Sequence, residues 1–215
     1  GGGSVPQGSQ NGRQHERAKA MCGKMVSMNC AARSVARGLW WPRFPRVAIT
    51  AADMATLGVI VRTNGLPRLQ HLDLNDHVSL SDAGMQSLCE GLGCGPLPML
   101  RSLLLVRYGL LPAGAEALAA ALRRGALPKL EMLDLGSNAI GNQGVAALAA
   151  PLRKLPALNE LVLSNCEIGD EGLASLLANL GKDDFKKLKK LGLRLNRLTG
   201  ASQDLIDSVT ANGAL

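Results

Sequence analysis

The chain has 215 residues, enough for one solenoid domain or two small globular ones. Leucine dominates the apolar set and aromatic residues make up only 2%; a globular enzyme core of this size would use more Phe, Tyr and Trp, whereas narrow repeated layers suit leucine. The net charge of +7 belongs to residues 1–50, where Arg13, Arg17, Lys19, Lys24, Arg33, Arg37, Arg43 and Arg46 face Glu16 alone, so the rest of the chain is neutral.

Residues 1–14, GGGSVPQGSQNGRQ, lack periodicity and read as a disordered leader. The first residue is Gly and not Met, as in a fragment or a processed form. Residues 15–38 read as a basic amphipathic helix or cap: Met21, Met25, Met28, Ala32, Val35 and Leu39 make one apolar stripe, with Lys24, Arg33 and Arg37 off it. Three roles fit this segment. It caps the open end of a solenoid, it is an acid-poor presequence, or it lies on anionic lipid. Gly23 and Gly38 weaken the helix in each case.

Residues 39–65 read as a degenerate first repeat. Ile49 precedes Leu57 by eight, and Leu57 precedes Leu69 by twelve, as Leu80, Leu88 and Leu100 do later. Its strand part, Leu39 to Phe44, contains Pro42, which has no backbone donor and suits an edge strand. Trp40 and Trp41 plug that edge or form a ligand platform.

Regular repeats fill residues 66–200. Strand starts fall at Leu69, Leu100, Leu130, Leu158 and Leu188, a period of 28 to 31 residues. Leu130, Leu133, Leu135 and Asn138 give the pattern Leu-x-x-Leu-x-Leu-x-x-Asn, and the leucine triplet recurs in all five units. A bend residue (Leu80, Leu110, Ile140, Ile168, Leu198) follows, then Gly84, Gly114, Gly144 and Gly172 four later, then Leu88, Leu118, Leu148 and Leu176. Each unit is a short strand followed by a helix, and it cannot bury its leucines without neighbours on both sides. Helices are expected over Gly84–Leu92, Gly114–Arg124, Gly144–Arg153 and Gly172–Leu180, with Pro151 shortening or bending the third.

These units resemble the leucine-rich repeat family, and "NAIGNQGVAALAAPL" and "CEIGDEGLASLLANL" are similar to its ribonuclease-inhibitor-like class. The resemblance implies an α/β fold: a right-handed solenoid, or horseshoe, with parallel strands concave and helices convex. It also implies work in gripping other proteins.

Alternation along each strand sends the leucines inward and the residues between them outward. The outward rows are His71, Ser102, Met132, Glu160, Lys190; Asp73, Leu104, Asp134, Val162, Gly192; Asn75, Val106, Gly136, Ser164, Arg194; and Asp76, Arg107, Ser137, Asn165, Leu195. Leu104, Val106, Met132 and Val162 form a candidate partner patch, with acidic Asp73, Asp76 and Asp134 on one flank and Lys190 and Arg194 on the other. The bend row is His77, Tyr108, Asn138, Cys166 and Asn196. An Asn amide there satisfies the tight turn; Tyr108 and His77 cannot copy it, so looser turns are expected toward the N-terminal end. Arg123–Arg124, Arg153–Lys154 and Lys182 recur just after helices, where cations complement the helix dipole. Residues 201–215 read as one closing helix.

Catalytic and metal chemistry find little support. His71 and Asp73 share a strand face, yet no nucleophile or oxyanion site accompanies them. The five cysteines are scattered and odd in number, which argues against a disulfide framework and zinc. No run reaches the length of a membrane span. The expected function is therefore a non-enzymatic, monomeric, cytoplasmic scaffold that binds a protein on its concave face, needs no cofactor and takes no nucleic acid. The basic N-terminus leaves a nuclear or organellar site open. Two other functions fit: a small-GTPase regulator, since Ran GTPase-activating proteins have similar repeats, and a fragment of an innate-immune-type receptor.

Overall fold

The computed structural model describes residues 50–62, 66–77, 81–94, 97–178, 180, 184–200 and 202. The expected leader, the basic helix over 15–38, Trp40–Trp41 and the first repeat's strand lie outside them, as does all of the closing segment 201–215 except Ser202.

Helices and three-residue strands alternate without exception among the described residues. The order is α1 (Ala51–Arg62), β1 (His71–Asp73), α2 (Ser81–Cys94), β2 (Ser102–Leu104), α3 (Pro112–Arg123), β3 (Met132–Asp134), α4 (Gly141–Arg153), β4 (Glu160–Val162), α5 (Asp170–Leu177) and β5 (Lys190–Gly192). The strands form one parallel sheet in sequence order. Among the described residues each helix lies beside the helix before and after it, each strand beside its neighbouring strands, and the two layers meet through side chains in one shared core. The result is an α/β solenoid of leucine-rich repeats, with the strands on the concave side and the helices on the convex side.

Leucine spacing explains the interior. Leu72, Leu103, Leu133 and Leu161 occupy one register row and are all buried, and Leu191 extends that row at the half-buried last strand. Leu74, Leu105, Leu135 and Leu163 make a second buried row two residues on. From the helices come Leu88, Leu118, Leu148 and Leu176, buried as the four-residue steps predict.

Helix bounds differ from the sequence expectation in an instructive way. The helices begin two or three residues before the repeated glycine, and α5 ends at Leu177 and not Leu180. Those early residues carry polar side chains that reach the following repeat. Asp82 Oδ1 accepts the Leu111 N–H (2.8 Å), Asn142 Oδ1 the Gly169 N–H (2.7 Å) and Asp170 Oδ1 the Thr199 N–H (2.9 Å). The repeated glycine makes room for them: a Cβ on Gly114 would lie 2.3 Å from Asp82 Oδ1, and one on Gly172 2.7 Å from Asn142 Oδ1.

Pro151 does not shorten α4, which runs on to Arg153. A proline there frees the carbonyl four residues back, and Arg123 Nη2 from the neighbouring helix donates to that Ala147 oxygen at 3.0 Å. The other late-helix cations also serve helix carbonyls. Arg124 donates to Cys89 O, while Arg153 donates to Ala178 O and Ser175 O at 2.8 and 3.0 Å and lies 3.9 Å from Asp184. Lys154 pairs with the buried Asp184, and Lys182 lies outside the described residues.

Two glycines bring α1 and α2 close together. A Cβ added to Gly91 would sit 2.2 Å from the Gly58 carbonyl oxygen, and one on Gly58 2.3 Å from Ser87 O. Both obstacles are backbone, so the helices would have to part. Gly91→Ala is expected to cost about 1–3 kcal/mol of stability as an overpacked contact. Gly200→Ala, where a Cβ meets no described residue within 4 Å, is the control, and urea midpoints compare the two.

Candidate functional site

The outward rows fall in the register expected from the leucine spacing. His71, Ser102, Met132, Glu160 and Lys190 pair across the sheet, and so do Asp73, Leu104, Asp134, Val162 and Gly192. Leu104, Val106, Met132 and Val162 are each half-buried and lie on three adjacent strands or their immediate continuation. Asp73 and Asp134 are half-buried too, while Arg194 is exposed just after β5.

Two features of the charge pattern differ from expectation. Asp134 does not flank the apolar residues; it stands between Leu104 and Val162 in the central strand. Lys190, read as a flanking cation, is paired with Glu160 on the next strand. Similar cross-repeat pairs join Arg101 to Glu131, Arg107 Nε to Asp76 Oδ1 at 2.5 Å, and Arg197 to Glu167 at 2.9 Å. The signal for these was in the sequence: opposite charges sit at matching positions of adjacent repeats. All have at least one well-exposed partner and contribute little each.

Asp134 is held differently. Its Oδ1 accepts the Gly136 N–H at 2.9 Å, as Asp73 Oδ1 accepts the Asn75 N–H at 3.0 Å. Burial pushes the Asp134 carboxyl above its ordinary range; Gly136 N–H and nearby Lys190 pull it back, and Glu160 pushes it up. A carboxyl raised in the folded state binds its proton more readily there than in the unfolded chain. Stability therefore falls as pH rises from the ordinary carboxylate range through the raised value. Asp134→Asn keeps the acceptor for Gly136 and removes the charge. It is expected to raise the thermal midpoint at neutral pH, with the gain shrinking as the solution is acidified. A gain that does not vary with pH would rule out this account.

Each of the five described strands is followed by a turn through a left-handed residue. Asp76, Arg107, Ser137, Asn165 and Leu195 have φ of 63°, 51°, 56°, 55° and 60°. Four of them donate their N–H to the next repeat: Asp76 to Val106 O, Arg107 to Gly136 O, Ser137 to Ser164 O and Asn165 to Arg194 O, at 2.8 to 3.0 Å. Asp76 and Arg107 therefore sit at a backbone corner as well as in an ion pair.

The bend row is a hydrogen-bond ladder that reaches backward. Asn138 Oδ1 accepts the N–H groups of Tyr108, Gly109 and Leu110 at 3.0 to 3.1 Å, while its Nδ2 donates to Leu105 O, Leu135 O and Gly136 O. Asn196 repeats this on Cys166 and Ile168 N–H and on Leu163 and Leu193 O. Cys166 keeps only the donor half, its Sγ lying 3.2 Å from Leu135 O. The expectation of a loose turn at Tyr108 is thus corrected, because Asn138 closes that turn from the following repeat. The expectation of a looser turn at His77 falls partly on residues 78–80, which lie outside the described residues. The Tyr108 ring is buried and its hydroxyl has no hydrogen bond among the described residues.

Burial raises the Cys166 thiol to about 11 and the Cys89 thiol to about 12, so both stay protonated at neutral pH. Among the described residues there is no cluster of metal-ligating side chains, and no helix is long and apolar enough to cross a membrane. A cavity of about 420 Å³ lies away from the strand face, between the last turns of α3 and α4, lined by Leu122, Leu127, Pro128, Pro151, Leu155 and Pro156 among others.

Comparison with known proteins agrees with the repeat fold. The family model described as "Leucine Rich repeat" matches residues 66–89, 126–149 and 154–177. A tropomodulin C-terminal domain from Caenorhabditis elegans superposes with a TM-score of 0.58 at 14% identity, covering 74% of this chain and 92% of that one. Leiomodin-1 Actin-Binding Site 2 superposes with a TM-score of 0.52 at 18% identity, covering 72% of this chain and 86% of that one. At such identities the likeness is one of fold. No curated protein sequence matches the chain.

Proposed function

We propose that this leucine-rich-repeat protein is a non-catalytic scaffold that holds a protein partner on its concave face. Leu104, Val106, Met132 and Val162 supply the apolar contact, while Asp73, Asp134 and Arg194 set its charge. One observation carries the reading: four half-exposed apolar side chains lie on three neighbouring strands around Asp134, and the other outward positions there are polar, charged or glycine. Interfaces draw their energy from such a centre and their selectivity from a charged rim.

The experiment is capture of binding partners by the whole chain and by the Leu104→Glu/Met132→Glu double variant. Binding should be lost while far-UV circular dichroism stays unchanged. Capture that persists in the variant would end the assignment of this patch. Actin belongs in the first panel of purified candidates because one structural neighbour is titled an actin-binding site, and co-sedimentation reads it directly.

Regulation of a small GTPase is the second reading, and it rests on repeat architecture alone. Acceleration of GTP hydrolysis across a panel of small GTPases would support it, and its absence would remove it. A receptor fragment is distinguished by the gene, which would encode a nucleotide-binding domain beside the repeats. In the scaffold reading the chain is a cytoplasmic monomer, and sedimentation velocity tests the second point.

A further inference from the structure

We propose that the partner lays a lysine or arginine against Asp134, with its aliphatic stem and apolar neighbours resting on Leu104, Met132 and Val162. This inference rests on the concave-face reading above and names the chemistry that face selects.

The charges on the face give the sign. Arg101, Arg107 and Lys190 are each neutralised by an acid on an adjacent repeat. Asp73 and Asp134 form no ion pair among the described residues; each has a single oxygen occupied, by the N–H two residues on. The surplus at the N-terminal and central strands is therefore negative. Phosphate-bearing ligands are disfavoured there, and a cationic group is attracted.

Position gives the shape. Asp134 pairs in register with Leu104 on one side and Val162 on the other. Met132 lies on the same face of the same strand, two residues earlier. A carboxylate framed by apolar side chains is costly to bury unless a partner cation meets it. Beside it stands the buried Gly136, which adds no side chain against the carboxylate; a Cβ there would crowd Asp134 Oδ1 at 3.0 Å. Lysine and arginine fit this outline because an apolar stem carries the charge to a polar point. A neutral apolar side chain would leave the carboxylate covered and unmatched.

The test pans a displayed library of random peptides against the whole chain. Peptides that lose binding on Leu104→Glu are taken as concave-face binders. These are expected to be enriched in lysine or arginine flanked by apolar residues, and to weaken roughly tenfold or more on Asp134→Asn. Changing the peptide's basic residue to glutamate should then restore binding to Asp134→Lys. Concave-face binders without basic enrichment, indifferent to Asp134→Asn, would overturn this inference and leave the scaffold reading in place. A library yielding no binder sensitive to Leu104→Glu would overturn both.

Discussion

Asn138→Ala is expected to destabilise the solenoid by about 3–5 kcal/mol, more than any other polar substitution among the described residues. The side chain is 3% exposed and lies within hydrogen-bonding distance of six main-chain groups, its two N–H shared among three carbonyls and its oxygen among three N–H. A methyl group in its place leaves three N–H groups and three carbonyls without their partner. A single buried orphan costs about 1–3 kcal/mol; some of the six have other bonds or can reach water, so the sum is less than additive. Urea unfolding gives the total, and amide exchange gives the location. Protection should fall at Tyr108, Gly109 and Leu110, which belong to the preceding repeat. Loss confined to the residues beside position 138 would contradict the backward reach of this amide. Asn196→Ala should act in the same sense but more weakly, because Asn196 is only half-buried.

The second large effect is Leu133→Ala, expected to cost about 2–5 kcal/mol as a fully buried leucine. Leu133 is 0% exposed and stands in register between Leu103 and Leu161. Leu104→Ala, one position away on the neighbouring strand but facing outward, should cost under about 1 kcal/mol, as surface changes do. Equal shifts in the two denaturant midpoints would mean that the inside and outside of the strands have been exchanged. Such an exchange would remove Leu104 from any binding surface, so this pair of variants also bears on the proposed function.

The register of the sheet was legible from the sequence because leucine marks it twice in every repeat. A slip by one residue would send Leu133 and Leu135 outward together. For the same reason the outward rows could be written down with their members in order. What the sequence hid were contacts whose residue types change from repeat to repeat. The ladder at the start of the helices uses Asp82, then Asn142, then Asp170, and α3 has Pro112 and Ala113 where a polar residue would stand. The left-handed corner was hidden too, since none of Asp76, Arg107, Ser137, Asn165 and Leu195 is glycine. Such a conformation costs about 1–2 kcal/mol per residue, and at the first four of these the N–H bond to the next repeat offsets it.

The arrangement of the candidate patch was legible as well: the outward row Asp73, Leu104, Asp134, Val162 sets Asp134 between two apolar residues, and the sheet keeps that order. Grouping Asp134 with Asp73 and Asp76 as one flank took the sign of the charge and overlooked the row. Lys190 looked available in the sequence, but its place opposite Glu160 removes it from the set of uncompensated cations.

The backward reach of the bend amides bears on the nascent protein. A coil leaving the ribosome has its leucines and its strand, yet the clasp for its corner lies in residues still to be synthesised, about thirty positions downstream. At about 5–20 residues per second, the corners at Tyr108 and Cys166 stay unclasped for roughly 2–6 seconds after their own residues have been joined.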